Sequence, residues 1–252
     1  KLDLSLKIPL RRLDDISVAG GFLFKNNQVM LGEGMPALEQ VNGALRFTGS
    51  SVAIQGLSAQ FLGGPASINA ATQQGLIQIN ANGKATAEGL AKAFPHPLLK
   101  RLQGSTNWNG SIALRKKLAN AVFTSSLKGM GSTLPLPFNK SAGDSVMFRL
   151  ERKASTLEQD LISFSYGNVL AAQFARSLQS GQMKVERGAI RLGGGTVELP
   201  ANGIWLNGSL PYLDLDHWRE LTRGNGGNES NGEGFTLDGV NLALHGALVA
   251  AA

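Results

Sequence analysis

The chain has 252 residues, no cysteine, and 24 Lys and Arg against 18 Asp and Glu, which gives a formal net charge of +6 at pH 7. The lack of cysteine excludes disulfides and thiolate metal sites or nucleophiles, and 42% apolar with 17% charged residues argues against long disordered segments. The basic residues are spread out and the aromatic residues do not interleave with them, which argues against nucleic acid and favours a lipid headgroup or membrane surface.

The first 30 residues have the pattern of two strands. Residues 1–10 alternate apolar and polar side chains, and residues 16–24 do so again with Phe22 and Phe24 on one side. Alternation with period two is the signal of a half-buried strand, because successive side chains point to opposite faces of a sheet. Residues 25–28 contain two asparagines, which tolerate positive φ, so we predict a hairpin turn there.

Residues 41–81 form the longest alternating stretch and predict an antiparallel meander with one apolar face and one polar face. Short turns of small residues separate the strands at 49–51 and 63–65. The apolar phase changes from even to odd numbers at Gly56, which predicts a β-bulge that bends and twists the strand. The apolar side chains of this meander are Leu45, Phe47, Val52, Ile54, Leu57, Phe61, Ile68, Ile77 and Ile79.

Residues 86–102 leave the strand pattern, since leucines recur every three to four positions and two prolines interrupt them, which predicts two short helical pieces with a kink. Strands follow at 104–114 and 119–127, and a loop with an L-P-x-P motif occupies 128–145.

Further strands are predicted at 146–151, 161–166 and 169–175. We also predict a hairpin that joins 183–192 to 196–199 across three glycines, and a strand that contains Ile204 and Leu206. A short helix with a Trp starts near 213, with Asp214 as its N-cap, and a last strand covers 235–248.

These elements predict a mostly β protein of long, twisted antiparallel meander sheets with two short helices. We divide it into a β-meander unit, residues 1–103, which ends in the proline-kinked helix, and a second β unit, residues 104–252, with the L-P-x-P loop and the Trp-containing helix. The chain starts and stops within strand patterns, so we expect it to be a fragment of a longer protein.

No catalytic or metal-binding constellation stands out in the sequence. The histidines, His96, His217 and His245, are scattered without metal-ligand spacing, and there is no G-x-S-x-G nucleophile elbow. We therefore predict no enzyme activity, no cofactor and no metal. A Ser-His-Asp arrangement is spatial, so a hydrolase on a β scaffold stays open as an alternative.

Three motifs in fixed order carry a resemblance to a known family. Trp108 and Gly110 form W-x-G, residues 125–129 form S-x-L-x-G, and residues 134–140 form L-P-x-P-x-x-K. The sequence resembles the AsmA-like proteins of Gram-negative bacteria, specifically the YhdP branch, and residues 185–190, 208–218 and 235–242 are also similar to it. The family-motif residues are Trp108, Gly110, Leu127, Gly129, Leu134, Pro135, Pro137, Lys140, Gly188 and Trp218.

This resemblance implies a function. Such proteins are tethered to the inner membrane by an anchor that would lie outside this chain, and they extend through the periplasm as a long, curved, groove-like β-sheet. The resemblance implies phospholipid as the ligand, carried toward the outer membrane, with a possible outer-membrane or periplasmic protein partner.

The nine apolar residues of the meander are then the candidates for the lipid groove. Two alternatives stay open. The same residues could form the core of a closed sandwich, or the chain could be a structural or adhesive β-scaffold without a ligand.

Overall fold

The protein was studied as a computed structural model, which describes residues 1–7, 17–32, 35–223 and 239–244. The strands are β1 (Leu2–Lys7), β2 (Ser17–Val29), β3 (Leu38–Thr48), β4 (Val52–Phe61), β5 (Gly64–Gln73), β6 (Leu76–Thr86), β7 (Leu102–Arg115), β8 (Leu118–Ser125), β9 (Met130–Ser132), β10 (Phe148–Ala154), β11 (Gln159–Tyr166), β12 (Leu170–Gln179), β13 (Gln182–Leu192), β14 (Gly203–Leu210) and β15 (Gly239–Leu244). The helices are α1 (Ala87–Ala93), the 3-10 helix η1 (Pro97–Arg101) and α2 (Leu215–Arg223).

Fourteen of the described strands form one sheet in which each strand pairs with the one before it. The short β9 instead pairs with β7, so β10 follows β8 in the sheet. All pairings up to β13 are antiparallel, and β13–β14 and β14–β15 are parallel. The predicted mostly β fold with two short helices is therefore confirmed, with parallel pairings added at its end.

The described strands show no sandwich. Every strand longer than three residues in the described ranges belongs to this one sheet, so the closed-sandwich alternative is wrong for this part of the chain. The sheet also continues through residue 103, because β6 pairs with β7 along most of its length. The division into two units stays a prediction.

The sheet curls toward its apolar side. Phe61 on β4 and Trp108 on β7 lie in contact, with ring centroids 5.6 Å apart. Three strand spacings separate these strands, so in a flat sheet they would lie about 14 Å apart. The contact indicates that the sheet curves toward this side, and the small residues Gly64, Ala66 and Gly83 between the two rings let them approach each other.

The bulge predicted at Gly56 contributes to this curvature. The pairing of β4 with β5 shifts between Ile54 and Leu57, and Gly56 has φ +64. Its N–H donates to Oδ1 of Asn69 at 2.8 Å in place of a regular ladder partner. A glycine is favoured here because a side chain is strained at positive φ, and bulges bend and twist the strand that carries them.

The hairpin turn predicted at residues 25–28 is wrong, since β2 runs on to Val29. Asn26 does adopt positive φ (54), but in an irregularity of the β2–β3 ladder rather than in a turn. Its N–H donates to Oδ1 of Asn42 at 2.9 Å. The asparagine has the conformation that the sequence indicates, and the side chain of the neighbouring strand stabilises it within the sheet.

The predicted hairpin of 183–192 with 196–199 is also wrong. β13 ends at Leu192, residues 193–202 form no strand, and the partner of β13 is β14 in parallel orientation. The glycines that suggested a tight turn all have positive φ, and the carbonyl of Gly194 accepts a hydrogen bond from Nε of Arg191 at 2.6 Å. This bond folds the glycine segment back on β13, and the chain then returns beside β13 in the same direction.

Helix α1 and η1 lie where the proline-interrupted pattern predicts them. Thr86 caps α1 with its hydroxyl, which accepts from the N–H of Gly89 at 2.9 Å, and Nδ1 of His96 accepts from the N–H of Leu98 at the start of η1. Leu90 of α1 packs on a buried cluster that includes Trp108. The helix therefore covers one end of the strands on the apolar side.

Candidate functional site

All nine groove candidates lie on the same face of the sheet. Residues directly opposite each other in an antiparallel ladder share a face. In the ladders Leu45 pairs with Ile54, Ile54 with Ala70, and Ala70 with Ile79. The other six candidates alternate in phase with these residues along the strands, or pair with residues that do. We call the surface that contains them the apolar face.

Across β3 to β6 the apolar face is the less exposed side of the sheet, and the opposite face is largely open to solvent. Leu57 and Ile68 are buried and the other seven candidates are half-buried. Their neighbours along the strands, such as Arg46 and Gln55, are exposed. The sheet therefore has two chemically different sides.

The apolar face continues beyond the predicted candidates. From β8 to β14 one row of mutually paired residues extends it: Phe123, Leu150, Phe164, Ala172, Ile190 and Leu206. None of these six residues is among the groove candidates predicted from the sequence. Alternation in these strands is a signal that could have found the row, but most of the strands are shorter than those of the meander and their partners cannot be read from the sequence.

The L-P-x-P loop and helix α2 cover one end of β11 on the apolar face. The Phe138 ring contacts Tyr166 of β11 at 6.0 Å and Trp218 of α2 at 5.7 Å, centroid to centroid. Nε1 of Trp218 also donates to the carbonyl of Leu136 at 3.3 Å. The family-motif Trp218 therefore joins the helix to the loop.

Lys140, the last residue of the L-P-x-P-x-x-K motif, holds the loop together. Its side chain is buried, and its Nζ donates to the carbonyls of Leu127 (2.8 Å), Met130 (2.7 Å) and Ser141 (2.9 Å). Burial lowers the pKa of Lys140, and the charge of Asp144 opposes that shift. The motif lysine thus serves as an internal cross-link of the loop.

The W-x-G motif is explained by packing on the apolar face. A Cβ on Gly110 would lie 2.9 Å from Cε1 of Phe123 and 3.3 Å from Cζ3 of Trp108. Gly110 therefore leaves the space that the two rings occupy. Gly188 has the same role on β13, where a Cβ would overlap the ring of Phe174.

Gly129 of the S-x-L-x-G motif sits where the loop crosses β7. Its φ is +94, and its carbonyl accepts from the N–H of Ser105 at 3.1 Å. A Cβ at this position would collide with the carbonyl oxygen of Ser105. The motif glycine is therefore required by both backbone conformation and close approach.

We expect Gly129→Ala to lower the free energy of unfolding by about 2 to 4 kcal/mol, because it adds positive-φ strain to a backbone collision. Urea denaturation measures this. Gly49→Ala is the matched control, since a Cβ there meets nothing within 4 Å, and its change should stay within about 0.5 kcal/mol. Equal effects of the two substitutions would contradict the structural role of Gly129.

A charged cluster lies on the same side of the sheet as the apolar face, at the end of the strands where β10 connects to β11. Asp160 of β11 is buried and accepts hydrogen bonds from Nε of Arg152 (2.6 Å) and from Nε and Nη2 of Arg176 (both 2.8 Å). Burial by itself raises the pKa of Asp160, but the hydrogen bonds and charges of Arg176 and Arg152 outweigh it and hold the pKa below its usual range. We call Arg152, Asp160 and Arg176 the arginine cluster. The cluster was not predicted from the sequence.

A cavity of about 420 Å³ lies between the L-P-x-P loop and α2. Asp214 caps α2 as predicted, since its Oδ1 accepts from the N–H of His217 at 3.1 Å, and its Oδ2 lies 2.6 Å from Nδ1 of the same histidine. The hydroxyl of Thr133, which belongs to the described lining, donates to the carbonyl of Arg101. The described lining offers a His–Asp pair but no serine, while His245 lies outside the described residues.

The described part of the chain contains no helix that is long and apolar enough to span a membrane. Comparison with curated proteins finds no match, and comparison with solved structures finds none either. The family model of the YhdP protein matches residues 1–246. Because that match covers nearly the whole sequence, the chain belongs to the YhdP family.

Proposed function

We propose that this chain is the periplasmic segment of a protein that moves phospholipids between membranes, and that the apolar face holds their acyl chains. The observation that carries the proposal is the continuity of the apolar face from β3 to β14 in a single curled sheet. Seven of the nine candidates on this face are only half-buried, and a continuous apolar surface that the described residues do not fully cover is typical of a binding surface.

The apolar face is suited to acyl chains by its chemistry. Burial of hydrocarbon stabilises a complex by about 0.8 kcal/mol per CH₂ group, and this gain needs no direction-specific contact. Different strands present similar aliphatic and aromatic side chains that are only half-buried, such as Phe47, Ile54 and Ile79. An acyl chain that shifts from one strand to the next therefore loses one set of apolar contacts and gains a similar set, which allows it to move along the sheet.

Membership of the YhdP family, a family of bacterial envelope proteins, supports a location in the cell envelope. The remaining parts of the proposal are an anchor in the inner membrane outside this chain and a protein partner at the outer membrane or in the periplasm. The proposed function is not enzymatic, because binding and movement of acyl chains require no reacting group.

We expect Ile54→Asp to reduce the phospholipid that co-purifies with the full-length protein by about tenfold, because a carboxylate on the apolar face must lose its hydration when an acyl chain covers it. Lipid extraction and mass spectrometry measure the amount per protein. Gln55→Asp is the matched control, since Gln55 is exposed on the opposite face of the same strand.

Circular dichroism of both variants separates binding from folding. Ile54 is only half-buried, so we expect the fold to survive the change. Unfolding of the Ile54 variant would identify Ile54 as a core residue. Equal lipid content in the two folded variants would show that Ile54 does not contact lipid. Either result would contradict the proposal.

A further inference from the structure

We propose that Arg152 and Arg176, positioned by Asp160, bind the phosphate of a phospholipid headgroup at the edge of the apolar face. This inference rests on the proposed function, because it assigns the place where the polar end of a bound lipid is held. The two arginines would add a directional, polar contact to a surface whose other contacts with lipid are non-directional hydrophobic ones.

The arginine cluster lies at one end of the strands. β10 ends at Ala154 and β11 begins at Gln159, so Asp160 stands next to the connecting turn. The opposite end of β11 is Tyr166, which the L-P-x-P loop covers through Phe138. Ile162 and Phe164 occupy the apolar face between the two ends. A lipid whose chains lie on these residues would have its headgroup beside the cluster.

The cluster has one cation more than its carboxylate can neutralise. Arg176 pairs with Asp160 through two parallel hydrogen bonds, Nε to Oδ1 and Nη2 to Oδ2. That bidentate pair would satisfy the buried carboxylate alone. Arg152 adds a second guanidinium, which also donates through Nη1 to the carbonyl of Ala119 at 3.4 Å. The local net charge is +1.

Both guanidinium groups have donors left for a ligand. Among the described residues, Nη2 of Arg152 and Nη1 of Arg176 have no hydrogen-bond partner. The side chains of Arg152 and Arg176 are 37% and 27% exposed, whereas that of Asp160 is 0% exposed. The Asp160 carboxylate is therefore covered from solvent, while the two arginine side chains remain partly accessible.

Phosphate matches this arrangement. Arginine presents its N–H groups in a planar fork that bonds phosphate oxygens in pairs, and such charge-assisted bonds are about twice as strong as neutral ones. Asp160 is a positioning residue in this account, because it fixes the guanidinium planes and does not touch the ligand.

The test is a competition between two lipids with identical acyl chains. The full-length protein carries a photo-crosslinking amino acid at Ile162 and is loaded from vesicles that contain equal amounts of phosphatidylglycerol and diacylglycerol. Mass spectrometry of the crosslinked protein gives the ratio of the two lipids. We expect the wild-type protein to favour the phospholipid by about tenfold.

The arginine variants should lose this preference and keep lipid binding. Arg152→Gln together with Arg176→Gln is expected to bring the ratio near one, with diacylglycerol crosslinking unchanged. Arg152→Gln alone keeps the bidentate pair of Arg176 with Asp160, so we expect this variant to stay folded even if the double variant does not. It should lower the ratio by about threefold. Arg149→Gln is the matched control, because Arg149 lies on the opposite face of β10 and should leave the ratio unchanged.

Three results would overturn the assignment. A ratio near one in the wild-type protein would remove the headgroup site while leaving the acyl-chain face intact. An absence of any lipid at Ile162 and at Ile54 would remove the proposed function as well. Loss of phospholipid crosslinking on addition of millimolar inorganic phosphate would identify a site for the free anion, since we expect phosphate alone, without acyl-chain burial, to compete poorly.

Discussion

Asp160→Asn is expected to lower the free energy of unfolding by about 3 kcal/mol, because it leaves two guanidinium groups side by side without the carboxylate to which both are bonded. The amide keeps the size of the side chain but can accept at only one atom, and Arg152 and Arg176 together donate three bonds to Asp160. Partial exposure of both arginines keeps the expected loss at the lower end of the range for a broken buried ion pair.

Urea denaturation at neutral pH measures this loss, with Glu158→Gln as the matched control. Glu158 is exposed and lies two residues before Asp160, so its replacement should change stability by less than about 0.5 kcal/mol. A loss below about 1 kcal/mol for Asp160→Asn would show that the arginines do not depend on this carboxylate.

The carboxylate of Asp160 also accounts for part of the stability that the protein is expected to lose at low pH. The pKa of Asp160 in the folded protein lies below its usual range, so the unfolded state binds the proton more readily. The stability that Asp160 contributes is therefore present above the pKa of the unfolded chain, about 3.9, and is lost as pH falls through the folded pKa. Wild-type protein should lose more stability than Asp160→Asn between pH 6 and pH 3, and equal losses would contradict this assignment.

Lys140→Met is expected to have an effect of similar size, about 2 to 4 kcal/mol, because three backbone carbonyls lose a charged donor in a buried site. Methionine fills much of the same volume without donating a hydrogen bond. The loss should be concentrated in the L-P-x-P loop, since Leu127, Met130 and Ser141 are the acceptors.

Hydrogen exchange shows where the loop opens. The N–H of Ser132 bonds to the carbonyl of Lys140 at 2.8 Å, and that amide should lose protection in Lys140→Met. Lys128→Met is the matched control, because Lys128 belongs to the same loop but is exposed. Unchanged protection at Ser132, or the same change in both variants, would show that Lys140 is not the cross-link.

The meander and its apolar face could be predicted from the sequence because alternation reports directly which side chains share a face. Leu45, Phe47 and Ile54 are in phase in the sequence and on one face in the sheet. The bulge at Gly56 was predictable for the same reason, since a change of phase marks an extra residue. Strand partners leave no such mark, so the parallel pairing of β13 with β14 was missed.

The arginine cluster could not be predicted because each of its members looks like an ordinary polar residue in its own strand. Arg152, Asp160 and Arg176 come from three strands, and only the register places them together. The family motifs, in contrast, are visible in the sequence, but the structural roles of their residues are not. Their order indicates the family, but the roles of Gly129 and Lys140 as backbone and loop contacts became visible only in the structure.

Photo-crosslinking along β3 and β4 tests the central claim most directly. A photoreactive amino acid is placed in the full-length protein in bacterial cells at Phe47, Ile54 or Phe61, which lie on the apolar face, or at Arg46 or Gln55, which lie on the other. We predict phospholipid adducts at the first three positions and none at the last two. Adducts on both faces, or on neither, would contradict a lipid-holding apolar face.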